Sequence, residues 1–125
     1  MGIQLRVDHH RRETHAVATG AITLADVRSH IEEERAAGGL AYPELVDARH
    51  ATPDVTPAEV RDVVDQLRHM ALDETLGPTA IVVASEVAFG MLRMLEILIE
   101  EVAVIRPFRD YDDAVRWLEG QRQAG

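Results

Sequence analysis

The sequence contains no cysteine and no lysine, so all thirteen of its basic residues are arginine. Without cysteine the chain cannot form disulfides, thiolate metal sites or a thiol nucleophile. Without lysine it has no side chain for Schiff-base chemistry and no lysine for Walker-type phosphate binding. Several large classes of enzyme are therefore excluded before any motif is considered.

Positive charge and aromatic side chains are also scarce. The formal net charge of −9 argues against nucleic-acid binding, because phosphate backbones are bound by clusters of Lys and Arg. The same charge disfavours anionic membrane surfaces. No run approaches the roughly 18 apolar residues of a membrane span, and the N-terminus does not read as a signal peptide. We expect a cytoplasmic protein that binds neither nucleic acid nor membrane.

The remaining composition is that of an ordinary globular domain. Hydrophobic residues make up 46% of the 125-residue chain and aromatic residues only 4%, so the core must be largely aliphatic. We find no internal repeat and no low-complexity segment, and we interpret residues 1–125 as a single domain.

Hydrophobic periodicity and capping residues predict alternating strands and helices. The predicted strands are 3–8, about 14–18, 44–46, 79–84 and 102–105, with Gly20 closing an initial hairpin. Helices are predicted to begin after four caps, Thr23, Thr56, Ser85 and Asp110. Such alternation predicts parallel strands joined by right-handed crossovers.

Three segments carry a resemblance to a known family: LVDARHAT after the third strand, TAIVVASEVAFGMLRMLE, and RPFRDYDDAVRWLEG. Together they resemble the short bacterial SpoIIAA-like (STAS/SEC14-type) proteins, which are related in fold to anti-sigma-factor antagonists. The resemblance covers nearly the whole chain. It implies an α/β fold with about five strands in a mixed, mostly parallel sheet and four helices.

A cluster of polar residues follows two of the predicted parallel strands. Asp47 and Arg49 lie after the third strand, and Ser85 follows the fourth and begins a helix. Ligands of open α/β sheets bind outside the carboxyl ends of the strands, and helix N-termini attract anions. Asp47, Arg49 and Ser85 are therefore candidate ligand-binding residues. The alternative is structural: loop hydrogen bonds, an ion pair and a helix cap.

A hydrolase with Ser85 as nucleophile and His50 as base is the least favoured hypothesis. The flanking residues AIVVASEVAFG do not form the Gly-x-Ser-x-Gly turn of hydrolases. We therefore predict no catalytic residues.

The histidines raise the question of a metal. His9, His10, His15 and Glu13 could approach one another across the hairpin, and such ligands suit zinc. An exposed polar hairpin tip explains the same residues, so we predict no metal and no other cofactor. His30, His69 and the acidic run 32–34 are interpreted as solvent-facing.

The resemblance also implies a role that would be regulated by phosphorylation. The related antagonists carry the acceptor in an Asp-Ser-x-Gly stretch at the start of the helix after this strand. Here the corresponding residues are ATPDVTPAE, without that stretch. Thr56 is thus a weak candidate acceptor, and it also has a structural role as a helix cap.

The third helix has an unusually wide apolar face. Phe89 and Ile97 fall outside that face and flank Arg93, a composition typical of protein interfaces. Phe89, Arg93 and Ile97 are our candidate contact surface for a homodimer or another protein partner. The leading hypothesis is thus a non-enzymatic regulatory or binding module that acts by protein–protein contact. The alternative is a domain that binds a small or lipid-like ligand.

Overall fold

Strands and helices alternate along the chain after an initial hairpin. The computed structural model describes residues 2–124, with side chains described for residues 2–122. Its elements are β1 (Gly2–Asp8), β2 (Glu13–Thr23), α1 (Leu24–Ala36), β3 (Glu44–Asp54), α2 (Pro57–Met70), β4 (Thr79–Val83), α3 (Glu86–Ile99), β5 (Ile105–Phe108) and α4 (Tyr111–Ala124). The predicted fold class, a five-stranded mixed sheet with four helices, is confirmed.

The strands lie in the sheet in the same order as in the chain, β1-β2-β3-β4-β5. β1 pairs antiparallel with β2, and the other neighbours are parallel. Crossovers between parallel strands are right-handed, so an order that never reverses places α1, α2 and α3 on one face. α4 follows the last strand and packs against β3 and β4 on the opposite face.

Alternation along the strands divides the hydrophobic core into two layers. Leu45 and Val82 face α4 and pack with Ala114 and Leu118. The larger layer lies beneath α1, α2 and α3, and its buried members are Ile31, Val63, Val64, Leu67, Met70, Ile99, Ala103 and Ile105. Neither layer contains a fully buried aromatic side chain among the described residues.

The four predicted helix caps are confirmed. Each cap side chain accepts a hydrogen bond from the backbone N–H three residues later: Thr23 from Asp26 at 3.3 Å, Thr56 from Glu59 at 3.1 Å, Ser85 from Ala88 at 3.1 Å and Asp110 from Asp113 at 2.9 Å. Asp26 and Glu59 return a bond to the cap backbone and complete two capping boxes. Among the described residues, no helix has the length and apolar character needed to cross a membrane.

The predicted position of the last strand is wrong. Residues 102–104 of the VAVI segment end the turn after α3 and lead into the strand, and the N–H groups of Val102 and Ala103 donate to the Ile99 carbonyl. The strand is Ile105–Phe108, which pairs with β4 alone. Pro107 is tolerated there because an edge strand leaves one side of its backbone unpaired.

Two further strand ends differ from the prediction. β2 does not end at Gly20 but runs through it, at a φ of 74°, to Thr23. β3 likewise continues through Pro53 to Asp54. β4 pairs only with the first half of β3, up to Ala48, so the second half has a free edge on that side and accommodates Pro53.

Gly77 allows two chain segments to approach closely. A Cβ at this position would lie 2.4 Å from the Tyr42 carbonyl oxygen and 2.6 Å from that of Ala41. Both are backbone atoms, so neither can rotate away. By contrast, a Cβ at Gly90 in α3 would meet nothing within 4 Å.

We predict opposite effects of alanine at these two glycines. Gly77→Ala should lower the free energy of unfolding by about 1–3 kcal/mol, because the backbone must shift to admit the new methyl group. Gly90→Ala should raise it by about 0.5–1 kcal/mol, because glycine is unfavourable within a helix. Urea unfolding followed by circular dichroism measures both. Equal effects would contradict the close approach at Gly77.

Candidate functional site

A cavity of about 230 Å³ lies between the sheet and helices α1, α2 and α3. Its walls are almost entirely apolar, and no Phe, Tyr or Trp side chain of the described residues lines it. Small side chains line the cavity on both sides: Ala18, Ala48 and Ala51 from the sheet, and Ala88 from α3. The space follows from the composition, because an aliphatic core with alanine at these positions does not fill the layer.

Three ionisable side chains line this otherwise apolar cavity: His30, Glu34 and Glu44. All three are buried, with 9%, 6% and 5% of their surface exposed, respectively. His30 Nε2 lies 2.8 Å from Glu44 Oε2. One nitrogen or oxygen atom from each of the three residues falls within 4.8 Å of the others. We call this group the buried triad.

Local structure accounts for the position of the buried triad. His30 and Glu34 are separated by one helical turn of α1, so they share a face of the helix. Glu44 is the first residue of β3 and is held there by its N–H, which donates to the Pro78 carbonyl at 2.8 Å. Gly38, at a φ of 76°, turns the chain between α1 and β3. The triad therefore forms where one α–β connection closes.

The electrostatics of the triad favour one retained proton. Burial first, and then the charge of the adjacent Glu44 carboxyl group and a hydrogen bond with it, together raise the pKa of Glu34 to about 10. Glu34 is therefore protonated at neutral pH. Glu34 Oε2 and His30 Nδ1 are buried and have no hydrogen-bond partner among the described residues. In the tautomer in which His30 donates its Nε2–H to Glu44, Nδ1 is an acceptor, so the cavity wall presents partnerless polar atoms able to hold a donor group or a cation.

The expectation that His30 and Glu34 face solvent is wrong. Within the acidic run 32–34, Glu34 is buried while Glu32 and Glu33 are exposed. Helical periodicity contains the missing signal, because Val27, His30, Ile31 and Glu34 follow the i, i+3, i+4, i+7 spacing of an inward face. Position on the helix, and not residue polarity, decides the burial of these side chains.

The candidate residues Asp47, Arg49 and Ser85 do not line the cavity. Arg49 donates to both carboxylate oxygens of Asp47, at 2.9 and 2.8 Å, and lies over the Tyr111 ring of α4. The hydrogen bond from Arg49 holds the pKa of Asp47 below its usual value. Ser85 accepts from Ala88 as a cap. Alternation along β3 turns Asp47 toward the α4 face, opposite the cavity.

Neither catalysis nor phosphorylation gains support from the geometry. Among the described residues, Ser85 and His50 share no hydrogen bond, and His50 is exposed. Thr56 is exposed and its hydroxyl is engaged by the Glu59 N–H at 3.1 Å. Its role as an acceptor stays a prediction.

The hairpin histidines are dispersed among other partners. His9 Nδ1 lies 2.8 Å from the Tyr42 hydroxyl, and His15 lies 3.1 Å from Glu13. His10 is exposed in the turn between β1 and β2. Within residues 2–122, the buried triad is the only group of three or more such side chains whose ligand atoms converge.

The predicted contact surface on α3 is partly occupied within the chain. The prediction that Phe89 is exposed is wrong: it is half-buried, and the Arg109 guanidinium lies 3.7 Å from its ring centre. Arg93 donates to Glu96 at 2.6 Å. Ile97 is 56% exposed. Of the three residues, only Ile97 offers a largely free apolar side chain.

Comparisons with known proteins identify the fold. No family model matches the chain, and no curated protein gives a significant match. Among solved structures, the chain is similar to an uncharacterized protein of the DUF3478 family with a SpoIIAA-like fold, from Shewanella loihica PV-4. The TM-score is 0.62 at 18% sequence identity, covering 94% of this chain and 93% of the other. The SpoIIAA-like fold implied by the resemblance is therefore confirmed.

We predict that the protonated Glu34 makes the metal-free protein less stable as pH rises. The pKa of Glu34 is about 10 in the folded state and 4.5 in the unfolded chain, so the unfolded state binds fewer protons between these values. The free energy of unfolding should fall as pH rises through this window, by up to about 1.4 kcal/mol per pH unit from this group. Urea unfolding in EDTA between pH 5 and 9 measures the slope.

Glu34→Gln isolates the contribution of this carboxyl group. Glutamine keeps the size and the donor of the protonated acid but cannot ionise, so the variant should show a shallower fall in stability than the wild type. Glu33→Gln, on the exposed side of the same turn, is the matched control and should keep the wild-type slope. Identical slopes in all three proteins would contradict a retained proton on Glu34.

Proposed function

We propose that this protein is a non-enzymatic, cytoplasmic binding module whose ligand is a small, largely apolar molecule held in the cavity. The cavity of about 230 Å³ is the observation that carries this proposal. An apolar cavity of about 150 Å³ is sufficient to bind benzene. Typical pockets for larger ligands begin at about 300 Å³. The ligand should therefore have a body on the order of eight carbon atoms.

The buried triad selects the end group of this ligand. Glu34 Oε2 and His30 Nδ1 are free buried atoms, and a hydrogen-bond donor would satisfy them. A carboxylate would instead bring another negative charge next to two buried carboxyl groups. We therefore expect an alcohol or amine at the polar end, with the apolar body against Val46, Ile81 and Val83.

Ligand binding is tested with eight-carbon probes on protein treated with EDTA. 1-Octanol should raise the unfolding temperature, because at ten times its dissociation constant a ligand adds about 1.4 kcal/mol to stability. Octanoate, with the same chain and a carboxylate, should give a smaller shift. Thermal unfolding followed by circular dichroism measures both.

A variant whose cavity is filled by a larger side chain tests whether octanol binds in the cavity. Ala48→Phe places a large side chain at a cavity-lining position and should abolish the octanol shift, whereas Ala58→Phe alters an exposed residue of α2 and should retain it. If octanol stabilises neither the wild type nor the Ala58→Phe variant, the ligand proposal fails. Equal shifts with Ala48→Phe and wild type would place the binding elsewhere.

Self-association through α3 is a second candidate function. α3 is the most apolar of the four helices, yet only Ala88 and Ile99 are buried among its 14 residues. Val87 and Ile97 are 69% and 56% exposed. A second copy of the chain would cover such side chains, since apolar area removed from water stabilises association.

Ile97→Asp should reduce the mass measured by light scattering if α3 mediates a dimer. A charge at this position would be desolvated in the interface and would oppose association. Leu72→Asp changes an apolar residue that is 78% exposed and lies after α2, outside α3, and should leave the mass unchanged. A monomeric wild type, or a dimer unaffected by Ile97→Asp, would remove this surface from consideration.

A further inference from the structure

The buried triad has the composition and arrangement of a metal-ligand set. One imidazole and two carboxyl groups each offer an atom within 4.8 Å of the others. Zinc accepts nitrogen and oxygen ligands of these types, and sites that remain open to a further ligand commonly have three protein ligands. His30 and Glu34 on successive turns of one helix, with Glu44 from a strand, supply such a set from rigid elements.

We propose that His30, Glu34 and Glu44 bind one divalent transition-metal ion, with Zn²⁺ as the best match to the donor set. The fourth coordination position opens onto the cavity that these residues line. This site does not depend on the proposed apolar ligand, because the three protein ligands are sufficient to hold the ion.

Unsatisfied buried atoms point independently to a missing partner. Glu34 Oε2 is buried with no hydrogen-bond partner among the described residues, and the Glu34 residue is only 6% exposed. Buried polar atoms are rarely left unpaired, because each costs free energy that a partner would recover. A cation between Glu34, Glu44 and His30 satisfies this atom and occupies the point where the three side chains converge.

Charge balance favours a doubly charged ion over a singly charged one. Two ionised carboxylates and a neutral imidazole carry a total charge of −2, which a divalent cation neutralises. Buried charge in apolar surroundings is tolerated only when it is paired or coordinated. No other ionisable side chain lines this cavity among the described residues, so no arginine is placed there to pair with the two carboxylates.

The geometry requires only a small adjustment on binding. Metal–ligand distances of about 2.0–2.2 Å in a tetrahedral site place ligand atoms about 3.3–3.6 Å apart. The triad atoms span up to 4.8 Å, so side-chain movements on the order of 1 Å close the site. His30 Nε2 and Glu44 Oε2 lie 2.8 Å apart in a hydrogen bond, so on metal binding they separate by roughly 0.5–0.8 Å and release the proton between them.

Calorimetric titration of EDTA-treated protein with ZnCl₂ tests the proposal. We expect one equivalent to bind, with affinity reduced at least about tenfold in each of Glu34→Gln, Glu44→Gln and His30→Gln. Glu33→Gln and His69→Gln change exposed residues of the same types and should bind as the wild type does. Undiminished binding in the triad variants would overturn the proposal, as would the absence of binding to wild type.

The hairpin histidines provide a necessary comparison, because exposed imidazoles bind zinc without forming a specific site. A double variant, His9→Gln with His10→Gln, should retain the one-equivalent binding. Loss of binding in that variant would assign the zinc to the hairpin and refute the triad site.

A measurement on the wild type avoids any dependence on whether the variants fold. Paramagnetic Mn²⁺ should broaden backbone amide signals of residues around His30, Glu34 and Glu44, and added Zn²⁺ should restore them by competition. Broadening confined to residues 9–15, or no selective broadening, would contradict the site.

Discussion

The right-handed crossover, applied to a strand order that never reverses, determines where the other parts of this protein lie. It places α1, α2 and α3 together on one face of the sheet and leaves α4 alone on the other. Three helices must then cover one twisted face with aliphatic side chains. Alanines at several contact positions leave that layer incompletely filled, and the cavity lies within it.

The same alternation that builds the two layers separates the polar residues of β3. Glu44 faces the three-helix layer, where it meets His30 and Glu34. Asp47 faces α4 and forms a bidentate ion pair with Arg49. Asp47 thus has a complete structural role at the surface. Glu34 has no such complete structural role, because it is buried, its pKa is raised, and one of its oxygens has no hydrogen-bond partner among the described residues. Groups with these properties concentrate at functional sites.

Features encoded by neighbouring residues were predictable from the sequence. The caps Thr23, Thr56, Ser85 and Asp110 were predicted correctly because each acts on an amide three residues away. The last strand begins only at Ile105, because an apolar run such as VAVI suits the connection after a helix as well as a strand. The triad was missed because its members come from two elements and meet only when β3 pairs between β2 and β4. Helical spacing places His30 and Glu34 on the inward face of α1 when position is weighed above polarity, but no local rule identifies Glu44 as the partner of that face.

A proton or a divalent cation can neutralise the negative charge of Glu34 and Glu44. The two favour opposite end groups on a ligand in the cavity. With the proton retained on Glu34, the free atoms of the triad are acceptors, and a carboxylate end group is repelled. With a cation bound, both carboxylates are used as ligands and the open position attracts lone pairs, including those of an anion. Because metal ligands must be deprotonated, the two states compete, and rising pH favours the metal-bound one. The chemical class of molecule held between the sheet and the helices therefore depends on what neutralises Glu34 and Glu44.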